Sequence, residues 1–364
     1  MTIDTINNNS SAHVNTEPST QPHTGTRRAP GRSIVIRIAL ACIVVMATGA
    51  LLGLWWLTMP GRSWEGPPPP LKPTEEASRQ RLEGHIRTLS ETIGPRHMGD
   101  PSSMARTVKY IEQELKRCGY TTKRLPVDSD KGPTLNLETE LRGTTEPKAV
   151  VLVGAHYDTV SRTPGADDNA TGVAAVLELA CLLRDTPQPR TVRFVLFTHE
   201  EPPYFRTAQM GSRVYARQAR QRGDAIVAMY AFDMLGYFSQ EPKSQSLPPG
   251  LDMLFPHTGN FIAFISTTEA RTLVHESVRA FRAHARVPSE GLAAPPSVEG
   301  IDFSDHASFL AHDYPAVMVT DTAFMRNAHY HEPTDTLKTL DLHSLTHVVL
   351  GMKHVILDQA QSKP

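Results

Sequence analysis

The chain has 364 residues, enough for one large domain or two small ones. Its 37 basic and 38 acidic side chains nearly cancel, so nothing in the charge balance points to a nucleic-acid partner. Three cysteines are too few for a disulfide framework. Cys42 falls in an apolar N-terminal stretch, which leaves Cys118 and Cys181 as the pair an oxidising compartment would join. Buried free thiols, which are common, are the expectation here.

Residues 1–33 are polar, rich in Asn, Thr, Ser and Pro, and carry no core-forming pattern. A disordered cytoplasmic tail is expected. From Ile38 to Met59 run 22 residues without a charge, long enough for a helix to span a bilayer, with Trp55 and Trp56 near the far end as interfacial anchors. Arg27, Arg28, Arg32 and Arg37 precede the run and only Arg62 follows closely. The positive-inside rule then puts the N-terminus in the cytoplasm and everything after Met59 on the periplasmic or extracellular side. The long tail and the length of the run disfavour a cleaved signal peptide, and the Pro-rich exit disfavours a buried core helix. A single-pass signal anchor over residues 34–59 is therefore expected, with the lipid bilayer as a partner. Residues 60–73 contain GPPPPLKP, an extended spacer.

The globular part is expected over residues 74–364. A helix pattern starts at Thr74, and a second covers Ser102 to Cys118, stopped by Gly119. Short β-rich runs follow at 120–127 and 135–142. The pattern then alternates. Buried strands are predicted at 149–154, 192–197, 226–232, 261–265 and 316–319. Helices are predicted at 171–184, 211–222, 269–285 and 341–361. Such alternation predicts an α/β fold, a three-layer sandwich whose central, largely parallel mixed sheet is flanked by helices. In these folds sites form just beyond the C-terminal ends of strands.

Metal-type residues stand in those places. His156 follows the first buried strand, Glu200 and Glu201 the second, and Asp233 the third, while Asp168 and His331 lie in polar loops. Taken singly each has a plainer reading. His156 can be a strand-end histidine, Asp168 or Asn169 a helix cap, and His331 a loop residue buttressed by Asp335. Two adjacent glutamates at the end of an apolar strand, however, repel each other and resist burial unless a cation is near. Two imidazoles and three carboxylates suit two divalent ions of borderline hardness, zinc above all. Glu200, left over, is the proton acceptor that a metal-activated water needs. Asp158, two residues from His156, can fix the imidazole's orientation.

The motifs GPRHMGDP, GAHYDT, GADDNATG, HEE…GS, FDMLG, SDHASF and YHEPTDT, in that order, resemble the co-catalytic zinc aminopeptidases. That family, number 28 of the metallopeptidases, also includes glutamate carboxypeptidase, transferrin receptor and glutaminyl cyclase. The resemblance runs from about Ile93 to Leu340. It implies that Asp168 bridges two zinc ions, that His156 and Asp233 complete one, and that Glu201 and His331 complete the other. Glu200 is then the general base and Asp158 the partner of His156. Two departures stand out. PPYFRTAQM between the glutamate pair and Gly211 is longer than the usual link and is expected to reshape the rim of the specificity pocket. Ile301 stands where several relatives carry a tyrosine that steadies the tetrahedral intermediate, which leaves that task to the metals alone or to another group such as Tyr330. The function implied is a membrane-anchored exopeptidase, foremost an aminopeptidase acting on peptides. The alternatives are a carboxypeptidase with the same ligands, a one-zinc glutaminyl cyclase and a non-catalytic receptor-like ectodomain.

Overall fold

The structure, a computed structural model, describes residues 32–361. Of the tail expected over residues 1–33, all but Arg32 and Ser33 lie outside the described residues. The chain divides into two compact units, Met1–Trp56 and Leu57–Pro364. In the first, the apolar run forms helix α1 (Arg32–Leu57). Its side chains from Ile34 to Met46, among them Ile38, Ile43 and Val45, are exposed. Among the described residues no helix is long and apolar enough to cross a membrane.

The second unit follows the predicted order closely. Helices α2 (Pro73–Arg87) and α3 (Pro101–Arg117) lead into β1 (Lys123–Val127), β2 (Thr134–Leu141) and β3 (Glu146–His156). Then come α4 (Gly172–Leu183), β4 (Arg190–Phe197), α5 (Gly211–Arg222), β5 (Ala225–Phe232), β6 (Ile262–Thr267), α6 (Arg271–His284) and β7 (Ser289–Ala294). Short α7 (His306–Leu310), β8 (Ala316–Thr320) and the closing α8 (Leu342–Ala360) complete it. The strands form one sheet in the order β1-β2-β4-β3-β5-β8-β6-β7. The centre is parallel, β4 to β3 to β5 to β8, whereas β1, β2 and the β8–β6 contact are antiparallel. Edge strand β7, unpredicted, runs parallel to β6.

Alternation along β3 shows how the layers are made. Val151, Val153 and Ala155 face the larger core with Leu177 and Val348 from α4 and α8, while Val150 and Leu152 face a smaller core with Tyr215 of α5 and Phe309 of α7. Helices thus cover both faces, the condition for a parallel sheet centre to be stable. All the parallel central strands end on the same side, and there the loops converge.

Two features depart from expectation. The Pro-rich run of residues 60–73, read as a spacer, lies against the domain: Ser63 Oγ donates to Ser289 O and accepts from Ser289 N, and the imidazoles of His343 and His347 both bond Pro69 O. Cys118 and Cys181, expected as free thiols, are disulfide-bonded, tying the end of α3 to α4 across 63 residues of chain. Cross-linking a loop of that size should stabilise the fold by roughly 4 kcal/mol through the unfolded state. Replacing both cysteines by serine is expected to lower the unfolding free energy by about that amount in urea titrations under non-reducing conditions.

Candidate active site and metal centre

His156 is the last residue of β3, Asp233 follows β5, and Glu200 and Glu201 stand three and four residues beyond β4. His156, Glu200 and Glu201 are buried, with Glu200 6% exposed, and Asp233 is half-buried. Asp168 belongs to an irregular helical turn, Ala166–Thr171, in which Asp168 and Asn169 have non-helical angles. Asn169 takes the capping work there: its Oδ1 accepts from Gly172 N at 3.0 Å and its Nδ2 donates to Phe232 O at 2.7 Å. Asp168 is left to face the sheet end. Gly165 enters this turn at a left-handed φ of 61°, and a Cβ there would run into Asp168 O and the Thr159 side chain.

The five expected ligands converge in two groups that share Asp168. In the first, His156 Nε2 lies 3.4 Å from Asp168 Oδ1 and 3.4 Å from Asp233 Oδ1. In the second, His331 Nε2 lies 3.2 Å from Asp168 Oδ2 and 3.2 Å from Glu201 Oε2. Ligand atoms about 2.0–2.1 Å from a tetrahedral zinc ion stand about 3.3–3.4 Å apart, so these spacings fit such an ion. Glu200 belongs to neither group, with Oε2 4.0 Å from His156 Nε2.

Charge supports the same reading. Burial, with Asp233 and Glu201 nearby, pushes Glu200 well above the carboxylate range, and burial beside Asp168 pushes Glu201 to about 8. Burial works against protonation of His331, yet Asp168 and Glu201 raise it to about 10. Glu201 Oε1 is buried with no hydrogen-bond partner. A pocket with more buried carboxylates than cations, and an orphaned carboxylate oxygen in it, calls for added positive charge.

The hydrogen bonds around this centre differ from the expected ones. His156 Nδ1 bonds the main-chain oxygen of Asp158 at 3.1 Å, and the Asp158 carboxylate is 3.8 Å from that nitrogen. The carboxylate instead accepts the amides of Glu200 at 3.2 Å and Glu201 at 3.1 Å. Asp335, expected to buttress His331, holds Asp168's turn: its two oxygens accept from Asp167 N at 2.9 Å and Asp168 N at 3.1 Å. Arg96, fully buried and assigned no role from sequence, donates to the carbonyls of Tyr157, Leu89, Gly94, Pro164 and Gly165. Its signal was the GPRHMGDP motif. Buried Asp305, in SDHASF, was likewise unassigned; burial near the centre pushes it to about 7.

A largely apolar cavity of about 250 Å³ opens beside the ligands, lined by Phe205, Leu251, Phe255, Ile265, Leu292 and Met318 among others. The insertion PPYFRTAQM does form part of its rim. Phe205 lines it, and Arg206 pairs with Asp302 while lying 5.2 and 5.0 Å from the rings of Phe205 and Phe303. Ile301 lines the cavity too. Tyr330 stacks on His331 with ring centroids 3.8 Å apart, and burial among carboxylates keeps its phenol protonated.

The sequence pattern of Peptidase family M28 matches residues 136–356. The chain belongs to that family. The kinship read from the motifs, with the co-catalytic zinc aminopeptidases, is thereby borne out, and the chain is a peptidase. An uncharacterised protein of Escherichia coli K12, YfbL, is 35% identical over 285 residues, covering 76% of this chain and 87% of that one. Leucine aminopeptidase 1 of Arthroderma otae is 27% identical over 216 residues; the match covers 55% of this chain and about half, 52%, of the fungal enzyme. Among solved structures, BSAP, a zinc aminopeptidase from Bacillus subtilis, superposes with a TM-score of 0.62 at 14% identity, covering 78% of this chain and 95% of that one. That likeness extends to the fold.

Asp335 supplies a test of how this family M28 centre is held. Asp335→Asn removes one carboxylate acceptor behind Asp168 and is expected to weaken zinc binding 10–100-fold, as loss of a group orienting a ligand does. Zinc titration with a competing chelator measures it, and circular dichroism checks that the fold is kept.

Proposed function

We propose that this M28 peptidase is a zinc-dependent aminopeptidase holding two ions, carried on a domain anchored outside the cytoplasm. The observation that carries the two-ion reading is Asp168, whose Oδ1 belongs with His156 and Asp233 and whose Oδ2 belongs with Glu201 and His331. Two imidazoles and three carboxylates are a zinc-type donor set. Aminopeptidases among the relatives and the similar structures support the direction of attack.

When bound, the ions supply Lewis acidity, polarising a peptide carbonyl and making a nearby water acidic at neutral pH. This chain's residues do the rest. Glu200 takes the proton of the attacking water and returns it to the leaving amine. Asp158 positions it by gripping the amides of Glu200 and Glu201 while its main-chain oxygen orients His156. Tyr330, its phenol protonated beside His331, donates to the developing oxyanion in place of the tyrosine absent at Ile301.

A panel of variants tests these roles together. Wild-type domain should bind close to two zinc ions. Glu200→Gln should lower kcat by roughly 10²–10⁴-fold with zinc content unchanged, Glu201→Gln should lose metal as well as activity, and Tyr330→Phe should lower kcat with little change in KM. A single tightly bound ion would favour the glutaminyl cyclase alternative. Hydrolysis of N-blocked but not free-amino peptides would favour a carboxypeptidase, and full metal loading without hydrolysis a receptor-like ectodomain.

The anchor reading rests on the sequence, the 22-residue uncharged run from Ile38 to Met59 and the four arginines that precede it. The Cys118–Cys181 disulfide adds to it, since such bonds persist in oxidising compartments. On this reading residues 1–33 are a cytoplasmic tail, 34–59 the anchor, 60–73 a linker strapped to the domain, and 74–364 the peptidase. Protease added to sealed right-side-out vesicles should digest the domain; full protection would exclude this topology.

A further inference from the structure

The cavity beside the ligands is longer than one apolar side chain needs. Its floor can be followed across the sheet by register. Asp233 follows Phe232, whose partner is Val319, so Asp233 stands beside Thr320. Thr320 pairs with Ala263, and Ala263 with Glu290. All four line the same cavity, as do Met318, Ile265 and Leu292 in the neighbouring row. Three interstrand steps place Glu290 roughly 14 Å from Asp233. The row between them carries only Thr320 and Ala263, short side chains that leave the trough open.

The far end is therefore a carboxylate in an apolar sleeve. Among the described residues its one ionic partner is Arg282 Nη2 at 3.5 Å. That guanidinium is committed elsewhere: Nη2 donates to Ser289 O at 2.7 Å, Nε to Ser289 Oγ at 3.2 Å, and Nη1 to the carbonyls of Met59, Pro60 and Gly61. Arg282 thus fastens the outer edge of β7 to residues 59–61 and leaves Glu290 with acceptor capacity towards the trough. Burial raises Glu290 in spite of Arg282, as expected for a carboxylate short of donors.

Resting on the aminopeptidase reading, we propose that Glu290 is a specificity-determining residue that accepts the cationic end of an N-terminal lysine or arginine, whose stem lies along the apolar trough. The lengths agree. A Lys or Arg stem reaches about 6–7 Å from its Cα, a Glu side chain about 4 Å and the ion-pair contact spans about 3 Å, which together account for the separation of roughly 14 Å. Leucine or phenylalanine stops short of the acid. An apolar sleeve with a distal acceptor suits a side chain that keeps its stem dry and its head paired. A head that cannot donate would leave the buried acceptor unmatched, and such sites discriminate strongly.

The test compares dipeptide amides on the zinc-loaded wild-type protein. Those with N-terminal Lys or Arg should be cleaved with kcat/KM about tenfold or more above norleucine, citrulline and ε-acetyl-lysine, which match the stems without the charge. Glu290→Gln should collapse the Lys-to-norleucine ratio towards unity, mainly through KM. Cleavage of free-amino substrates with norleucine equal to or better than lysine overturns this inference alone, as does an unchanged ratio in Glu290→Gln. Activity confined to N-blocked peptides overturns the aminopeptidase reading and this inference with it. The comparison of substrates on the wild-type protein decides the matter even where Glu290→Gln folds poorly.

Discussion

Buried negative charge is the constraint around which this molecule is organised. Asp168, Glu200, Glu201 and Asp233 all lie within the C-terminal edge of one sheet, faced by two imidazoles. Carboxylates taken out of water at such spacing are tolerated only with compensating cations or by taking up protons. The upward displacement of Glu200 and Glu201 is the second outcome, and divalent ions would bring the first. The sheet makes the crowding affordable because its apolar strands are stable wherever helices cover both faces, so their ends can carry a destabilising load.

Holding that load in place falls to backbone-directed hydrogen bonds. Asp158 grips two successive amides under the glutamate pair, Asp335 grips two successive amides under Asp168, and Asn169 ties the same turn to Phe232. Arg96 binds carbonyls from three separate segments at once, the end of the helical region before Gly94, the chain after His156, and the loop at Pro164. Asp158, Asp335 and Arg96 each commit a charged group to main chain, where a planar fork or a carboxylate matches two or more partners. The ligands are thereby positioned by residues that do not themselves ligate.

The substrate side is built by different means. Its floor is sheet, from β8, β6 and β7, whereas its walls are loops that come from distant parts of the chain, such as Phe205, Leu251 and Phe324. The insertion after the glutamate pair enters this wall through Phe205 and is pinned by Arg206 to Asp302. Variation in such loops alters what is bound without disturbing the centre, because the ligands sit on strand ends and the walls do not.

Much of this was legible in the chain itself. Runs such as AVVLVG, VRFVLF and IVAMYAF suit strands buried on both faces, so their ends, and with them His156, Glu200, Glu201 and Asp233, were located by pattern and chemistry together. Asp168 and His331 came from loop motifs, and the structure brings both to the same place. Other features were decided only by tertiary structure. Strand β7, SEGLAA, carries no apolar period because it is an edge strand with one acid-bearing face, so its pairing with β6 defines it. Nearness in sequence suggested that Asp335 supports His331 and that the carboxylate of Asp158 supports His156, but hydrogen-bond partners are set by distance in space, and both carboxylates turn to amides elsewhere. The union of Cys118 with Cys181 likewise depends on a Cα separation of 5.2 Å that no spacing along the chain reports. Local pattern determines strands and their ends, whereas a hydrogen bond, a disulfide or a cavity wall exists only once remote segments meet.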